Sequence, residues 1–312
     1  MILMVLHLCP KQNINGSMQN RTTDRGSIIT RFAPSPSGYL HLGHAYSAWF
    51  TERLAKEAEG KFLLRIENID QNRCRQEYEE AIVRDLTWLG LNWEKPIRRQ
   101  SNHMAEYSNG LAKLSDMDLI YPCFCTRKEI RQEIERINAA PHEGIKDKRG
   151  PIYPGTCRGL NLDDRKRKIS TGYSYALRLN TRKAVHLALQ KRKYLSWSDK
   201  DLGLQSATPE IFGDVVLARK DEPTSYHLSV VVDDAAQGVN FITRGEDLRD
   251  VTHIHCLLQA LLDFECPNYC FHPVLVDKTG KRFAKREGSI TIQELRKGGK
   301  TVVEIRRMVG LN

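Results

Sequence analysis

No apolar stretch in the 312 residues approaches the roughly 20 residues that a membrane-spanning helix needs. A mean hydropathy of −0.49 also argues against a membrane protein. The N-terminal MILMVLHLC is apolar for only nine residues, and it lacks the basic leader and small-residue cleavage site of a secretory signal. We therefore expect a cytoplasmic protein with no membrane partner.

Acidic residues are in deficit, because 38 Asp and Glu stand against 48 Lys and Arg and give a net charge of +10. Neutralising phosphates and releasing their counterions is the main sequence-independent source of nucleic-acid affinity. The charge therefore favours a polyanionic partner. A merely basic protein without such a partner is the alternative that charge alone leaves open.

The length of 312 residues exceeds the roughly 100 to 200 residues of one typical domain. Residues 1–27 end in the polar stretch NGSMQNRTTDRGS and are predicted to be a loose N-terminal extension. Residues 28–120 and 216–312 carry alternating strand and helix patterns. Residues 121–215 break that alternation and are predicted to be an insertion.

The first alternating elements predict an α/β fold. SIITRFAP reads as a strand that ends at a proline, and the segment from His44 has helical spacing up to Gly60, the predicted stop. KFLLRIENID predicts a second, buried strand, and residues 75–90 predict a second helix ending at Gly90. Strand, helix, strand and helix in this order indicate a parallel sheet.

The pattern resumes after the insertion. In SYHLSVVVDDAAQGVNFITRG the run of three valines predicts a buried strand. DVTHIHCLLQALL then predicts a helix, and FHPVLV predicts another strand. The sheet is thus expected to be interrupted by the insertion and continued beyond it.

Three of the eight cysteines cluster within the insertion, where Cys123 and Cys125 are followed by Cys157. A CxC pair and a third cysteine in a turn rich in Pro and Gly resemble the half-sites of a structural zinc centre. Tyr153 and His142 are both candidates for a fourth ligand, and spacing does not choose between them. Three free or buried cysteines are the alternative.

The stretch RFAPSPSGYLHLGHAYSAWF joins the first strand to the first helix and contains two histidines, His41 and His44. A loop that enters a helix N-terminus exposes backbone N–H groups and the positive end of the helix dipole, which suits a phosphate. Gly43 permits close approach of the backbone to a ligand, and the imidazoles can donate hydrogen bonds to a polyphosphate. As a bare pattern, HxxH could instead hold a metal or simply pack.

That stretch resembles the ATP-binding signature of class I aminoacyl-tRNA synthetases, specifically of the glutamyl and glutaminyl branch. The resemblance continues in family order over roughly residues 29–290, through LLRIENID, WLGLNWEKPIRRQS, YHLSVVVDDAAQGVNFITRGEDL and TGKRFAKREGS. It implies a Rossmann-like catalytic domain with a parallel sheet, interrupted by a zinc-containing insertion and lacking an anticodon-binding domain. It also implies a ligase that uses ATP and Mg²⁺.

The resemblance implies a pocket for L-glutamate. Arg31 and Glu67 would hold a carboxylate and the ammonium of the amino acid, which is the expected pairing of opposite charges. Tyr226 and Arg244 would complete the pocket. The alternatives are a mere ion pair between Arg31 and Glu67, and a half-buried aromatic for Tyr226.

By the same resemblance, His41 and His44 would contact the triphosphate of ATP. A second phosphate-binding loop is RFAKR, where the family has Lys, a hydrophobic residue, Ser and Lys. Arg282 and Ala284 depart from that pattern, whereas Lys285 is retained and would stabilise charge on the leaving group. The catalytic residues would then be His41, His44 and Lys285. The ATP-binding residues would be Pro34, Ser35, Gly38, His41, Gly43, His44, Arg282 and Lys285.

Asn68 is a further departure, because it replaces the Asp of the family block RIED. The effect of Asn68 and of Ala284 on the rate is open, and activity is expected. For the cysteine cluster, the resemblance implies one structural zinc ion with Cys123, Cys125, Tyr153 and Cys157 as ligands.

The chain stops about 25 residues after Lys285, where full-length glutamyl-tRNA synthetases continue into anticodon-reading domains. It therefore resembles the short members of the branch, which activate glutamate without tRNA and attach it to the queuosine base in the anticodon of tRNA(Asp). Basic runs at Lys146–Lys148 and Arg165–Lys168 could hold that tRNA or could be solvated loops. A monomer is expected. The alternatives are a catalytic fragment that charges a tRNA 3′ end and a non-catalytic, zinc-containing RNA-binding relative.

Overall fold

The computed structural model describes residues 27–138, 152–219, 223–275 and 290–311. Within them the strands are β1 (Ile29–Phe32), β2 (Lys61–Ile66), β3 (Glu94–Arg99), β4 (Ile120–Cys123), β5 (Ala176–Leu179), β6 (Ser196–Asp199), β7 (Gly203–Ser206), β8 (Val216–Arg219), β9 (Phe241–Gly245) and β10 (Asn268–His272). The helices are α1 (Leu42–Glu57), α2 (Gln76–Trp88), α3 (Met104–Asp116), α4 (Arg127–Asn138), α5 (Leu162–Ser170), α6 (Thr181–Lys191), α7 (Tyr226–Ala236), α8 (Thr252–Leu261), α9 (Ile292–Lys297) and α10 (Val302–Met308).

These residues divide between two compact units. The first unit comprises the described residues of Met1–Arg98, Phe241–Asp247 and Phe271–Asn312. The second comprises those of Arg99–Asn240 and Leu248–Cys270. No helix in the described part of the chain is long and apolar enough to cross a membrane.

The first unit is built on a sheet of order β1-β2-β3. β1 and β2 pair in parallel, with Ile29 opposite Lys61 and Phe32 opposite Leu64, so the predicted parallel strands are confirmed. α1 connects them, as a parallel pair requires. The core of the first unit joins residues of its strands and loops to the apolar faces of α1, α2, α9 and α10. Its members include Leu40, Trp49, Leu64, Ile66, Leu86, Ile292 and Ile305.

Each of the first two helices is followed by a residue in the left-handed backbone conformation. α1 ends at Glu57, three residues before the predicted stop, and Glu59 adopts a φ of 50°. Gly60 instead permits a close chain approach, because a Cβ there would lie 2.2 Å from the carbonyl oxygen of Ile28. α2 ends as predicted, since Gly90 has a φ of 79°.

The second unit contains an antiparallel sheet of order β4-β5-β8. β6 pairs antiparallel with β7 and in parallel with β10, where Tyr269 lies opposite Asp199. The helices α3, α7 and α8 pack on one another within this unit. A small core of cysteines and aromatic residues forms separately at one end of β4.

The prediction of a strand at the valine run is wrong. Val230, Val231 and Val232 lie in α7, which begins at the N-cap Ser225. All three side chains are buried because the helix packs against both α3 and α8. The polar residues Ser229, Asp233 and Asp234 are buried as well, so no exposed polar face marks a helical period in the sequence. The strand predicted at FHPVLV begins earlier, as β10, and ends at His272.

Candidate active site and cysteine cluster

The two histidines of the HLGH motif form the N-cap of α1. The Nδ1 atom of His41 accepts a hydrogen bond from the backbone N–H of Gly43 at 3.1 Å, and the Nδ1 of His44 accepts from the backbone N–H of His41 at 3.1 Å. The two rings are in contact, with centroids 3.8 Å apart and planes tilted by 36°. This reciprocal arrangement is a capping box made of imidazoles.

The capping bonds fix the chemistry of both rings. A nitrogen that accepts a backbone hydrogen bond carries no proton, so each neutral imidazole must carry its proton on Nε2. Each histidine is therefore set as an Nε2–H donor at the positive end of α1. A Cβ at Gly43 would lie 3.0 Å from Cε1 of His41, so any larger residue there would crowd this ring.

The two loops that carry the predicted ligands of the first unit are tied to each other. The backbone N–H of Glu67 donates to the carbonyl of Pro34 at 3.1 Å, and that of Arg75 donates to the carbonyl of Pro36 at 3.0 Å. Ser35 and Cys74 are also in contact, with Oγ and Sγ 3.6 Å apart. These contacts hold the loop that contains Gly38 against the segment that follows β2.

Glu67 and Arg31 are held by buried neighbours. The Oε1 atom of Glu67 accepts from Nη2 of Arg65 at 3.3 Å, and Arg65 is fully buried. Arg31 is 6% exposed and lies 3.5 Å from the carbonyl oxygen of Thr243, to which its Nη1 donates. The hydroxyls of Thr51 and Thr243 are 2.6 Å apart. These contacts fix β9, and therefore Arg244, beside β1.

The predicted site residues divide between the units. Arg31, His41, His44, Glu67 and Arg244 belong to the first unit, together with Pro34, Ser35, Gly38 and Gly43. Tyr226 is the first residue of α7 in the second unit. Arg282, Ala284 and Lys285, with the whole RFAKR loop, lie outside the described residues.

Sequence reasoning missed Arg65 and Thr243. Arg65 supports Glu67, and Thr243 anchors Arg31. The sequence does contain a signal for Arg65. A charged residue inside the apolar strand KFLLRI is expected to be buried, and a buried charge requires a partner. Thr243 offered no such signal, since its role depends on how β9 packs in three dimensions.

The cysteine cluster forms as predicted, within the second unit. The Sγ atoms of Cys123, Cys125 and Cys157 all lie within 4.8 Å of one another, and those of Cys125 and Cys157 are 3.4 Å apart. The hydroxyl of Tyr153 lies 3.7 Å from Sγ of Cys125. A tetrahedral zinc ion with Zn–S bonds of about 2.3 Å needs sulfurs roughly 3.8 Å apart, so the residues present fit such an ion.

The pKa values of these groups shift in different directions. Burial and the neighbouring Cys157 raise the pKa of the Cys125 thiol to about 12. Burial opposes ionisation of Cys123 too, but hydrogen bonds with Tyr153 and Arg178 lower the pKa of its thiol. Burial and the adjacent thiols raise the pKa of Tyr153 above its ordinary value. A zinc ion among these groups would favour the ionised form of each. His142, the alternative fourth ligand, lies outside the described residues.

The chain matches a known family over most of its length. The model of the family "tRNA synthetases class I (E and Q), catalytic domain" matches residues 27–311. The chain belongs to this family. Members are class I synthetases, which use ATP and Mg²⁺, and the family is one of ligases.

Two relatives within this synthetase family are both named glutamyl-Q tRNA(Asp) synthetase. The protein of Rhodobacter capsulatus is 42% identical over 91% of this chain and 100% of the relative. That of Nitratidesulfovibrio vulgaris is 40% identical over 87% of this chain and 82% of the relative.

The synthetase is also similar to longer proteins. The glutamate–tRNA ligase of Aquifex aeolicus is 34% identical over 87% of this chain but only 54% of the relative. The crystal structure of a glutamate–tRNA synthetase from Elizabethkingia anophelis superposes with a TM-score of 0.68 at 24% identity, over 88% of this chain and 54% of the other. The chain thus spans about half the length of these proteins, and the structural match shows a shared fold.

We predict that the imidazoles serve both the helix and the reaction. In His41→Asn the side chain still caps α1, because Asn is a favoured N-cap residue, but no ring N–H remains. In His41→Ala both the cap of α1 and the ring N–H are lost. The Asn variant should therefore keep its melting temperature, whereas the Ala variant should lose about 1 kcal/mol of stability. Both should lower the rate of glutamate-dependent pyrophosphate exchange by about 100-fold, the typical effect of losing one donor to transition-state charge.

Thermal unfolding and exchange kinetics, measured on the same preparations, check this prediction. Arg53→Ala, an exposed position on α1, is the control for a change in this helix. An Asn variant with full exchange activity would show that His41 acts only as a cap.

Proposed function

We propose that this protein activates L-glutamate with ATP in the absence of tRNA and transfers the glutamyl group to the queuosine base at the wobble position of tRNA(Asp). The observation that carries the proposal is the match over the entire length of a relative named glutamyl-Q tRNA(Asp) synthetase. The arrangement of Arg31, Glu67, His41 and His44 in one unit supports the activation step.

In the activation step an α-carboxylate oxygen of glutamate attacks the α-phosphorus of ATP. The bond to the bridging oxygen breaks, and pyrophosphate leaves with its electron pair. Arg31 would hold the side-chain carboxylate, because the α-carboxylate must stay available as the nucleophile, and Glu67 would bind the ammonium. The Nε2–H groups of His41 and His44 would donate to phosphate oxygens as charge builds up on the leaving group.

The other assigned residues complete this proposal. Arg244 and Tyr226 would line the glutamate pocket, Arg282 and Lys285 would bind the leaving pyrophosphate, and Pro34, Ser35, Gly38 and Gly43 would shape the phosphate loop. Mg²⁺ would accompany the ATP phosphates.

In the transfer step a hydroxyl of the cyclopentene ring of queuosine attacks the carbonyl carbon of the glutamyl-adenylate. An ester forms, AMP leaves, and the hydroxyl proton passes to solvent or to the departing phosphate. Holding both reactants in place is the main requirement of such an acyl transfer from a mixed anhydride to a hydroxyl.

We also propose one structural zinc ion held by Cys123, Cys125, Cys157 and Tyr153. Four protein ligands leave no open coordination position, so the ion would stabilise the local fold and take no part in the chemistry. The close approach of the three sulfurs and the phenol oxygen supports this set.

The test has two stages. First, exchange of pyrophosphate into ATP is measured with glutamate and without tRNA. Second, glutamate transfer is measured on tRNA(Asp) that contains queuosine but lacks its terminal adenosine, so that the ribose that accepts amino acids in ordinary charging is absent. Matched tRNA(Asp) without queuosine is the control.

Exchange without tRNA, together with transfer only to the queuosine-containing truncated tRNA, is the expected result. The similarity to a glutamate–tRNA ligase favours a second candidate, charging of a tRNA 3′ end. Exchange that requires intact tRNA(Glu) would establish that activity instead. Absence of exchange under all conditions would leave a non-catalytic RNA-binding relative.

A further inference from the structure

A cavity of about 310 Å³ opens in the second unit beside the cysteine cluster. Its polar lining includes Arg127 and Arg131 from α4, Arg178 from β5 and Asp214, and Tyr153 and Phe212 supply aromatic walls. The volume lies at the lower end of the range of ligand pockets, about 300 to 1,000 Å³. It is therefore large enough for a small charged group with an organic attachment.

The carboxylate in the cavity is already committed to other partners. One oxygen of Asp214 accepts from the hydroxyl of Tyr121 and, at 3.0 Å, from Nη1 of Arg158. The other accepts from the backbone N–H of Thr181 at 3.0 Å. Asp214 is only 3% exposed, and its charge is offset by the ion pair with Arg158, which does not line the cavity.

The three arginines present a positive surface. Arg178 is fixed, because its Nη1 donates to the carbonyl oxygen of Asp214 at 2.7 Å and its guanidinium lies 3.9 Å from the ring centroid of Tyr153. Arg127 and Arg131 are four residues apart and so share one face of α4. Within the described ranges none of the three forms an ion pair with a carboxylate.

We propose that this arginine-lined cavity binds a backbone phosphate of the RNA substrate. The inference rests on the proposed function, from which it takes tRNA as the partner. Guanidinium groups donate paired hydrogen bonds to phosphate oxygens, and the ring of Phe212 offers a surface for the adjoining sugar or base. Because a backbone phosphate has no sequence, the cavity sets the position of the tRNA and not its identity.

The experiment measures tRNA(Asp) binding by fluorescence anisotropy over a range of salt concentrations. The test variant is R127A/R131A, which removes two exposed charges from the cavity. The matched control is K128A/K297A, because Lys128 adjoins Arg127 on the same helix without lining the cavity, and Lys297 is an exposed residue of α9. Both variants lose two positive charges, and no position belongs to the glutamate or ATP site.

We expect R127A/R131A to weaken tRNA binding on the order of ten-fold at 0.1 M salt and to reduce the slope of log K against log salt. The control should weaken binding by no more than about two-fold, because neither lysine lines the cavity and each would act on the bound phosphate only through a screened, longer-range interaction. Equal losses in both variants, or no loss in either, would overturn the proposal. The same titration with AMP must be insensitive to R127A/R131A, since a loss there without a loss for tRNA would identify a mononucleotide site instead.

Pyrophosphate exchange without tRNA separates this proposal from the proposed function. Exchange should be unchanged in R127A/R131A, because none of the residues that line the cavity is assigned to the activation site. If the unaltered protein shows no exchange at all, the proposed function fails, and the comparison of tRNA affinities still decides whether the cavity binds RNA.

Discussion

Arg31→Ala should lower kcat/KM for glutamate in pyrophosphate exchange by on the order of 100- to 4,000-fold. Removing one partner of a buried, hydrogen-bonded charge pair costs roughly 3 to 5 kcal/mol, and each 1.4 kcal/mol corresponds to a factor of ten. Arg31 is 6% exposed, so the proposed contact between its guanidinium and the substrate carboxylate would be largely shielded from water. The loss should appear mainly in KM for glutamate, while KM for ATP should stay nearly constant.

Two further variants make this prediction specific. Arg31→Lys keeps the charge but loses the planar fork, and it should recover only part of the activity. Glu67→Gln should raise KM for glutamate in the same way, because it removes the charge expected to face the ammonium. Unchanged circular dichroism shows that each variant has folded. If the Arg31→Ala variant kept a pyrophosphate-exchange rate within about three-fold of that of the unaltered protein, the proposed contact between Arg31 and glutamate would be excluded.

Cys157→Ser should abolish stoichiometric zinc binding and lower the melting temperature by about 10 °C. Structural zinc sites contribute directly to folding, and a loss of roughly 3 to 5 kcal/mol shifts the midpoint of a domain of this size by about that amount. Extraction with a strong chelator should produce the same shift in the unaltered protein. Zinc content by elemental analysis and thermal unfolding by circular dichroism measure both effects.

The control and the fourth ligand each need their own variant. Cys266→Ser changes a cysteine outside the cluster and should leave the zinc content unchanged. Tyr153→Phe removes a single oxygen and keeps the three sulfurs, so it should weaken zinc by at least about ten-fold in competition with a chromophoric chelator. Zinc affinity that is equal in Tyr153→Phe and the parent would exclude the phenol as a ligand.

Local signals in the sequence predicted much of the first unit. The proline after β1, the helical spacing of α1 and the glycine after α2 are short-range features that tertiary packing does not override. The cysteine cluster was predicted because thiol spacing carries chemical information on its own. Of that cluster, the described structure confirms the proximity of Cys123, Cys125 and Cys157.

The sequence could not predict features that depend on burial from several sides. The three valines of α7 are consecutive and all buried because the helix packs against two others, and such an apolar run has the composition of a buried strand. Arg178 gains its role from partners distant in the chain, the carbonyl of Asp214 and the ring of Tyr153. The arginine-lined cavity unites residues of α4, β5 and the segment before β8, which no window of sequence brings together.

The imidazole capping box at the start of α1 couples stability to activity, because His41 is expected to contribute to both. A descendant that no longer needed to activate glutamate would still lose about 1 kcal/mol by replacing His41 with a residue that cannot cap. Selection for a folded protein alone would then retain a histidine or admit only Asn, Asp, Ser or Thr. Among relatives, an asparagine at this position is therefore the substitution expected to accumulate first once the chemistry is abandoned.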